Sequence, residues 1–175
     1  VVGENVARYQ IDLLDLQWTN RWDVAFLLDV LEHIPEDVTA LNQIYDALRP
    51  GGLLFITTPA LNCFWSYNDD LAHHVCRYSR KNYQQLAEQT GFTVRYSRYF
   101  MFLLSPLLLL SRMQAPDMES MTSDDIRKHL EQTHRIPSEP INSILRLLFS
   151  LETPLGLIVP FPWGTSVLAV LQKPK

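Results

Sequence analysis

Between residues 21 and 59 the hydrophobic pattern changes period twice. Residues 22–28, WDVAFLL, form an apolar run broken only by Asp23, the pattern of a strand buried on both faces of a parallel sheet. After it, Ile34, Val38, Leu41, Ile44, Tyr45 and Leu48 recur at helical spacing, with Pro35 at the expected helix start and Arg49-Pro50-Gly51-Gly52 as the expected stop. Residues 53–58, LLFITT, are a second apolar strand. Strand, helix and strand in this order predict a βαβ unit with a right-handed crossover, so the fold class is α/β.

The flanking segments are read the same way. Tyr9, Ile11 and Leu13 alternate with polar neighbours, which predicts a strand closed by Asp12 and Asp15. Residues 60–76 are non-periodic and rich in aromatic, Asn, Asp and His side chains, as expected of a loop over the strand ends. Ser79 opens a helix that Gly91 closes, and a strand follows over 92–97. Residues 99–113 are the most apolar run, interrupted by Pro106 and shorter than the roughly 20 residues that cross a bilayer. They read as a buried or lid helix, with peripheral membrane contact through 99–113 as the alternative. Residues 114–140 look like a mobile polar insertion holding a short helix near 123–132. Ile144, Leu147, Leu148 and Leu151 are spaced to pack one helix face, and 166–171 is a β-rich final strand.

Composition narrows the function classes. The 175 residues suit a single domain, and 47% hydrophobic content supplies a core. Fifteen basic against nineteen acidic residues give a net charge of −4, so no global attraction draws nucleic acid to the chain, and none is expected as a partner. Cys63 and Cys76 are too few for a disulfide framework and lack C-x-x-C spacing, consistent with reduced thiols and a cytoplasmic setting. The start at Val1, without methionine or a charged leader, points to a piece of a longer protein.

Ligands of open α/β sheets gather beyond the carboxyl ends of the strands, where Leu28-Asp29-Val30-Leu31-Glu32-His33 crowds polar groups into one turn. DVLEHI, a helix, and then LRPGGLLFITTP resemble segments of class I S-adenosylmethionine-dependent methyltransferases. A second segment, H-x-x-R-Y-S-x-x-x-Y-x-x-L-x-x-x-x-G-F from His74 to Phe92, is similar to one that small-molecule members carry after the fifth strand. The resemblance implies a Rossmann-like, mostly parallel sheet with an antiparallel last strand at the sheet edge. It also implies S-adenosylmethionine as cofactor. Asp15 would accept from the adenine amino group with Leu16 beside it, and Leu28, Asp29 and Val30 would contact the methionine end. An acceptor-only carboxylate suits an exocyclic amine, although Asp15 also fits a turn and Asp29 a helix cap.

The family's G-x-G-x-G turn is absent from the six glycines, and Glu4 in VVGE only faintly resembles the ribose acid, so the domain at 1–175 is expected to be partial and truncated at its N-terminal side. His33 and His74 are the candidate catalytic groups, each able to move a proton or to serve as a fixed donor. Arg77 and Tyr78 either anchor a loop or clamp a substrate anion. His73 and His74 are adjacent without a third ligand at suitable spacing, so no metal centre is expected. The implied function is methyl transfer to a small, apolar or lipid-like acceptor under a lid at about 99–160. The alternative is a non-catalytic scaffold that keeps the fold.

Overall fold

The computed structural model describes residues 6–113 and 136–175. Strand β1 (Trp22–Leu28), helix α1 (Asp37–Ala47) and strand β2 (Leu48–Pro59) form the expected unit, with β1 and β2 parallel and Phe26 opposite Phe55. Helix α1 starts after Glu36, so Pro35 lies in the preceding turn rather than at the helix start. The Arg49-Pro50-Gly51-Gly52 run does not merely stop the helix; it is already the first part of β2. Gly51 has φ of 83°, and a Cβ on Gly52 would stand 2.8 Å from the Arg49 carbonyl oxygen and 3.3 Å from that of Asp23, so both positions require glycine. Lys173 holds the end of α1 by donating to the Tyr45 and Leu48 carbonyls at 2.8 Å, a favourable place for a cation.

Helix α2 (Tyr67–Leu71) and helix α3 (Arg80–Thr90) precede strand β3 (Thr93–Phe100). As expected, Ser79 caps α3 by accepting from the Asn82 amide, and Gly91 ends it at φ 79°. Helices α4 (Ser105–Met113) and α5 (Glu139–Ile158) follow, then strand β4 (Ser166–Gln172). The sheet order is β1-β2-β4-β3, with β4 antiparallel to both neighbours. The last strand is therefore antiparallel as expected but interior, not at the edge. Three strands run one way and β4 fills the gap between β2 and β3.

One face of the sheet is closed. Leu54 and Ile56 of β2 and Val167, Ala169 and Leu171 of β4 are buried together with Leu41 and Ile44 of α1 and Tyr83 and Leu86 of α3. The other face is largely open. Val24, Phe26 and Leu28 are exposed, Phe26 by 64% although its ring stacks on Phe55, so β1 is not buried on both faces. It is an edge strand, and among the described residues no helix covers that side of it.

Tyr9, Ile11 and Leu13 do not form a strand; the only regular structure there is a 3₁₀ turn at Leu13–Asp15. The alternation finds no partner strand, and Tyr9 instead joins Trp18 and Trp22 around the Arg21 guanidinium, which donates to the Tyr9 hydroxyl at 2.8 Å. The apolar row of α5 does not pack inward: Ile144, Leu147 and Leu151 are exposed, Leu147 by 58%. The short helix near 123–132 and the VVGE segment lie outside the described residues.

Helix α5 is tied to the body by the buried Glu152, whose carboxylate accepts from the Phe102 and Leu103 amides at 2.9 and 3.0 Å. Among the described residues it is the one helix long and apolar enough, by length and composition, to cross a membrane.

Candidate functional site at the strand ends

At the carboxyl end of β1 the chain turns sharply through Asp29, whose φ of 53° is uncommon outside glycine. Two contacts to β2 hold that turn: the Asp29 amide donates to the Thr57 carbonyl at 2.9 Å, and the Thr57 hydroxyl donates to the Asp29 carboxylate at 3.2 Å. A 3₁₀ turn, Leu31–His33, then carries Glu32 inward and His33 outward. Glu32 is 1% exposed and its Oε2 has no hydrogen-bond partner. Burial, and secondarily the nearby Asp29, raise its pKa, outweighing the contribution of its own backbone amide.

The loop after β2 packs onto this turn. The Val75 amide donates to the Glu32 carbonyl at 2.8 Å. The organiser of the loop is Asp69, 1% exposed, which sequence reasoning missed although S-x-x-D at Ser66–Asp69 is a capping-box pattern. Its carboxylate accepts from the Ser66 amide at 2.8 Å, from Arg77 Nε at 2.8 Å and Nη2 at 3.0 Å, and pairs with His74 Nδ1 at 2.9 Å. Burial pushes the Asp69 pKa up, but the hydrogen bonds from Arg77, His74 and Ser66 prevail and hold it below the ordinary carboxylate value. An ionised Asp69 can only accept, so His74 donates to it through Nδ1, and in the neutral imidazole Nε2 is then the acceptor.

Of the expected site residues, the structure brings His33 and His74 together, with ring centroids 4.8 Å apart and edge to face. The left-handed backbone of His73, φ 57°, turns the chain immediately before His74. Arg77 is buried and also donates to the Ala60 carbonyl at 3.0 Å, so it anchors the loop. Tyr78 does likewise, its hydroxyl donating to the Asp37 carboxylate at 3.1 Å. Leu28, Asp29 and Val30 lie at the end of β1, with Leu28 exposed and Val30 half-buried. Asp15 and Leu16 sit on a separate turn against α1: the Leu16 amide donates to Gln43 at 3.0 Å, and the exposed Asp15 accepts from the Gln17 side chain at 2.8 Å.

On the open side of the sheet a cleft of about 260 Å³ lies between β3 and α5. Phe100, Met101, Phe149, Leu157, Phe161 and Leu168 make it apolar, and Thr57 reaches it from β2. The residue that braces Asp29 therefore also lines this cleft. Of the residues from 99–113 expected to form an apolar lid, Phe100 lines this cleft while Leu107 and Leu110 are exposed, and sequence reasoning missed Glu152, whose buried carboxylate fixes the cleft wall.

Residues 4–97 match the family described as methyltransferase domain, more than half of the chain. The chain belongs to that family, and its fold is that of class I S-adenosylmethionine-dependent methyltransferases. One solved relative is the Haemonchus contortus phosphoethanolamine N-methyltransferase 2 in complex with S-adenosyl-L-methionine, at 19% identity and a TM-score of 0.53, covering 94% of this chain and 36% of that one. Another is a SAM-dependent methyltransferase from Archaeoglobus fulgidus, at 13% identity and a TM-score of 0.51, covering 94% of this chain and 66% of that one. The chain thus spans roughly a third to two thirds of the length of these relatives. No curated protein matches it.

Proposed function

We propose that this domain takes part in methyl transfer from S-adenosylmethionine to a small, apolar or lipid-like acceptor. The observation that carries the reading is Thr57, which braces the Asp29 turn with one hydroxyl and lines the apolar cleft with the same side chain. A ligand at the turn and an acceptor in the cleft would thereby be neighbours.

The residues present fit the cofactor at two points. The exposed carboxylate of Asp15 beside the buried Leu16 suits an adenine amino group and ring, and the Leu28–Val30 turn suits the methionine end. Bound S-adenosylmethionine supplies a sulfonium methyl whose carbon–sulfur bond breaks as the acceptor lone pair closes on the carbon. The chain's own residues then have two tasks. Positioning comes first, since orientation alone is worth up to roughly 7–11 kcal/mol in ideal cases. Removing a proton from the acceptor falls to His74, through the nitrogen left free by Asp69, or to His33.

The exposed row Ile141, Ile144, Leu147, Leu151, Leu155 and Ile158 on α5, together with Leu107 and Leu110 on α4, supports peripheral contact with lipid. Phe149 and Leu157 of the same helix line the cleft, so a lipid-like acceptor could pass from that surface into it.

Calorimetric titration of S-adenosylhomocysteine into the protein tests the reading. Saturable binding is expected of a form extended upstream of Val1 that carries the glycine-rich turn, and only weak binding of the 175 residues alone. Asp15→Ala in the extended form should weaken binding by about 1.5–3 kcal/mol, the worth of a hydrogen bond to a charged group. A folded protein, including any longer natural form, that releases no heat would leave the non-catalytic scaffold as the function. Co-sedimentation with zwitterionic phosphatidylcholine vesicles, lost in Leu147→Asp, tests the lipid contact separately.

A further inference from the structure

We propose that Glu32, His33 and His74 bind one divalent transition-metal ion at the strand-end turn. One donor atom from each lies within 4.8 Å of the other two, and the three come from the turn after β1 and the loop after β2. Metal–ligand lengths of about 2.0–2.2 Å place donors roughly 3–4 Å apart. His33 is exposed, so its ring is free to turn toward the other two donors.

Two independent observations point to a ligand rather than to chance proximity. Glu32 is 1% exposed, yet its Oε2 has no partner, and an unsatisfied buried carboxylate oxygen is costly. A cation beside it would remove that cost. His74 is held through Nδ1 by the buried Asp69 at 2.9 Å, the outer carboxylate that fixes a ligating histidine's tautomer and aims its Nε2. Asp69 is itself braced by Arg77 and Ser66, so this outer partner is rigid.

Two imidazoles and one carboxylate suit zinc, cobalt or iron, whereas magnesium prefers oxygen ligands. Three protein ligands leave coordination positions open. On the methyl-transfer reading, those positions would take a hydroxyl oxygen of the acceptor and make it more acidic, a role that replaces proton removal by His74 or His33, whose ring nitrogens the ion would occupy. The inference deepens that reading, but metal binding can be read without it.

The test is titration of Co²⁺ into the wild-type chain, followed by visible absorption and by competition with Zn²⁺ and Mg²⁺. One equivalent of Co²⁺ is expected to bind, to be displaced by Zn²⁺, and to stay bound in excess Mg²⁺. His33→Ala and Glu32→Gln are each expected to lower the affinity at least tenfold. His33 is exposed, so its variant should fold, and matching thermal transitions by circular dichroism would establish that. No Co²⁺ binding by the wild type, or affinity unchanged in a folded His33→Ala, overturns the metal site. S-adenosylhomocysteine binding reports on the methyl-transfer reading separately, so either can fail while the other stands.

Discussion

The two faces of the sheet are built from the same strands and treat their apolar side chains in opposite ways. Leu54 and Ile56 of β2 are sealed beneath α1 and α3, whereas Phe55 and Thr57, between and beyond them, face the open side with Phe26 and the cleft. Alternation along one strand thus divides the molecule into a face that holds the fold together and a face left for ligands. The apolar residues of α5 belong to the second kind, since most point away from the body. Hydrophobicity alone therefore does not mark the core here; a covering helix does.

Substitutions on the two sides should separate this difference. Asp69→Ala should have the largest effect, since it strands the buried Arg77 charge; a loss of about 3–5 kcal/mol is expected in denaturant unfolding. Leu41→Ala, on the closed face and fully buried, should cost about 2–5 kcal/mol by the same measurement. Tyr83→Phe removes the hydroxyl bond to Thr58 at 2.8 Å and should cost about 0.5–1.5 kcal/mol near neutral pH.

Tyr83 also predicts a pH dependence. Burial raises its pKa above the ordinary tyrosine value of 10.0, so above that pH the unfolded chain loses the proton while the folded chain keeps it. Stability should fall as pH rises past 10, and fall less steeply in Tyr83→Phe; equal slopes would sink the argument. The smallest effect belongs to the open side: Leu151→Ala on α5 should change stability by no more than about 0.5 kcal/mol. If it costs as much as Leu41→Ala, the contrast between the faces collapses.

Local pattern made the βαβ unit legible through its change of period from Trp22 to Pro59, although its punctuation misled: Pro35 precedes the helix and Arg49–Gly52 already belongs to β2. At α3 the punctuation held, and the Ser79 and Gly91 caps were legible from it. It failed at Tyr9, Ile11 and Leu13, where alternation is present but no strand lies alongside to pair with it. The antiparallel sense of the last strand followed from the resemblance, but its interior place depends on pairing with two distant strands. At the site, Asp29 and His33 could be read from one turn, and the contact of His33 with His74 could not. That contact depends on the Val75 bond to Glu32, made across the fold, and on Asp69, which holds His74 from within the same loop.

The interior place of β4 also bears on how the molecule is made. A ribosome delivers β1, β2 and β3 well before Ser166–Gln172, and until then β3 has no neighbour to pair with and β2 lacks one of its two. The nascent chain would hold two more exposed strand edges than the finished sheet, of the kind that pair promiscuously. The sheet can close only once its middle strand has been made, so the chain is most vulnerable to aggregation in the interval between the synthesis of β3 and that of β4.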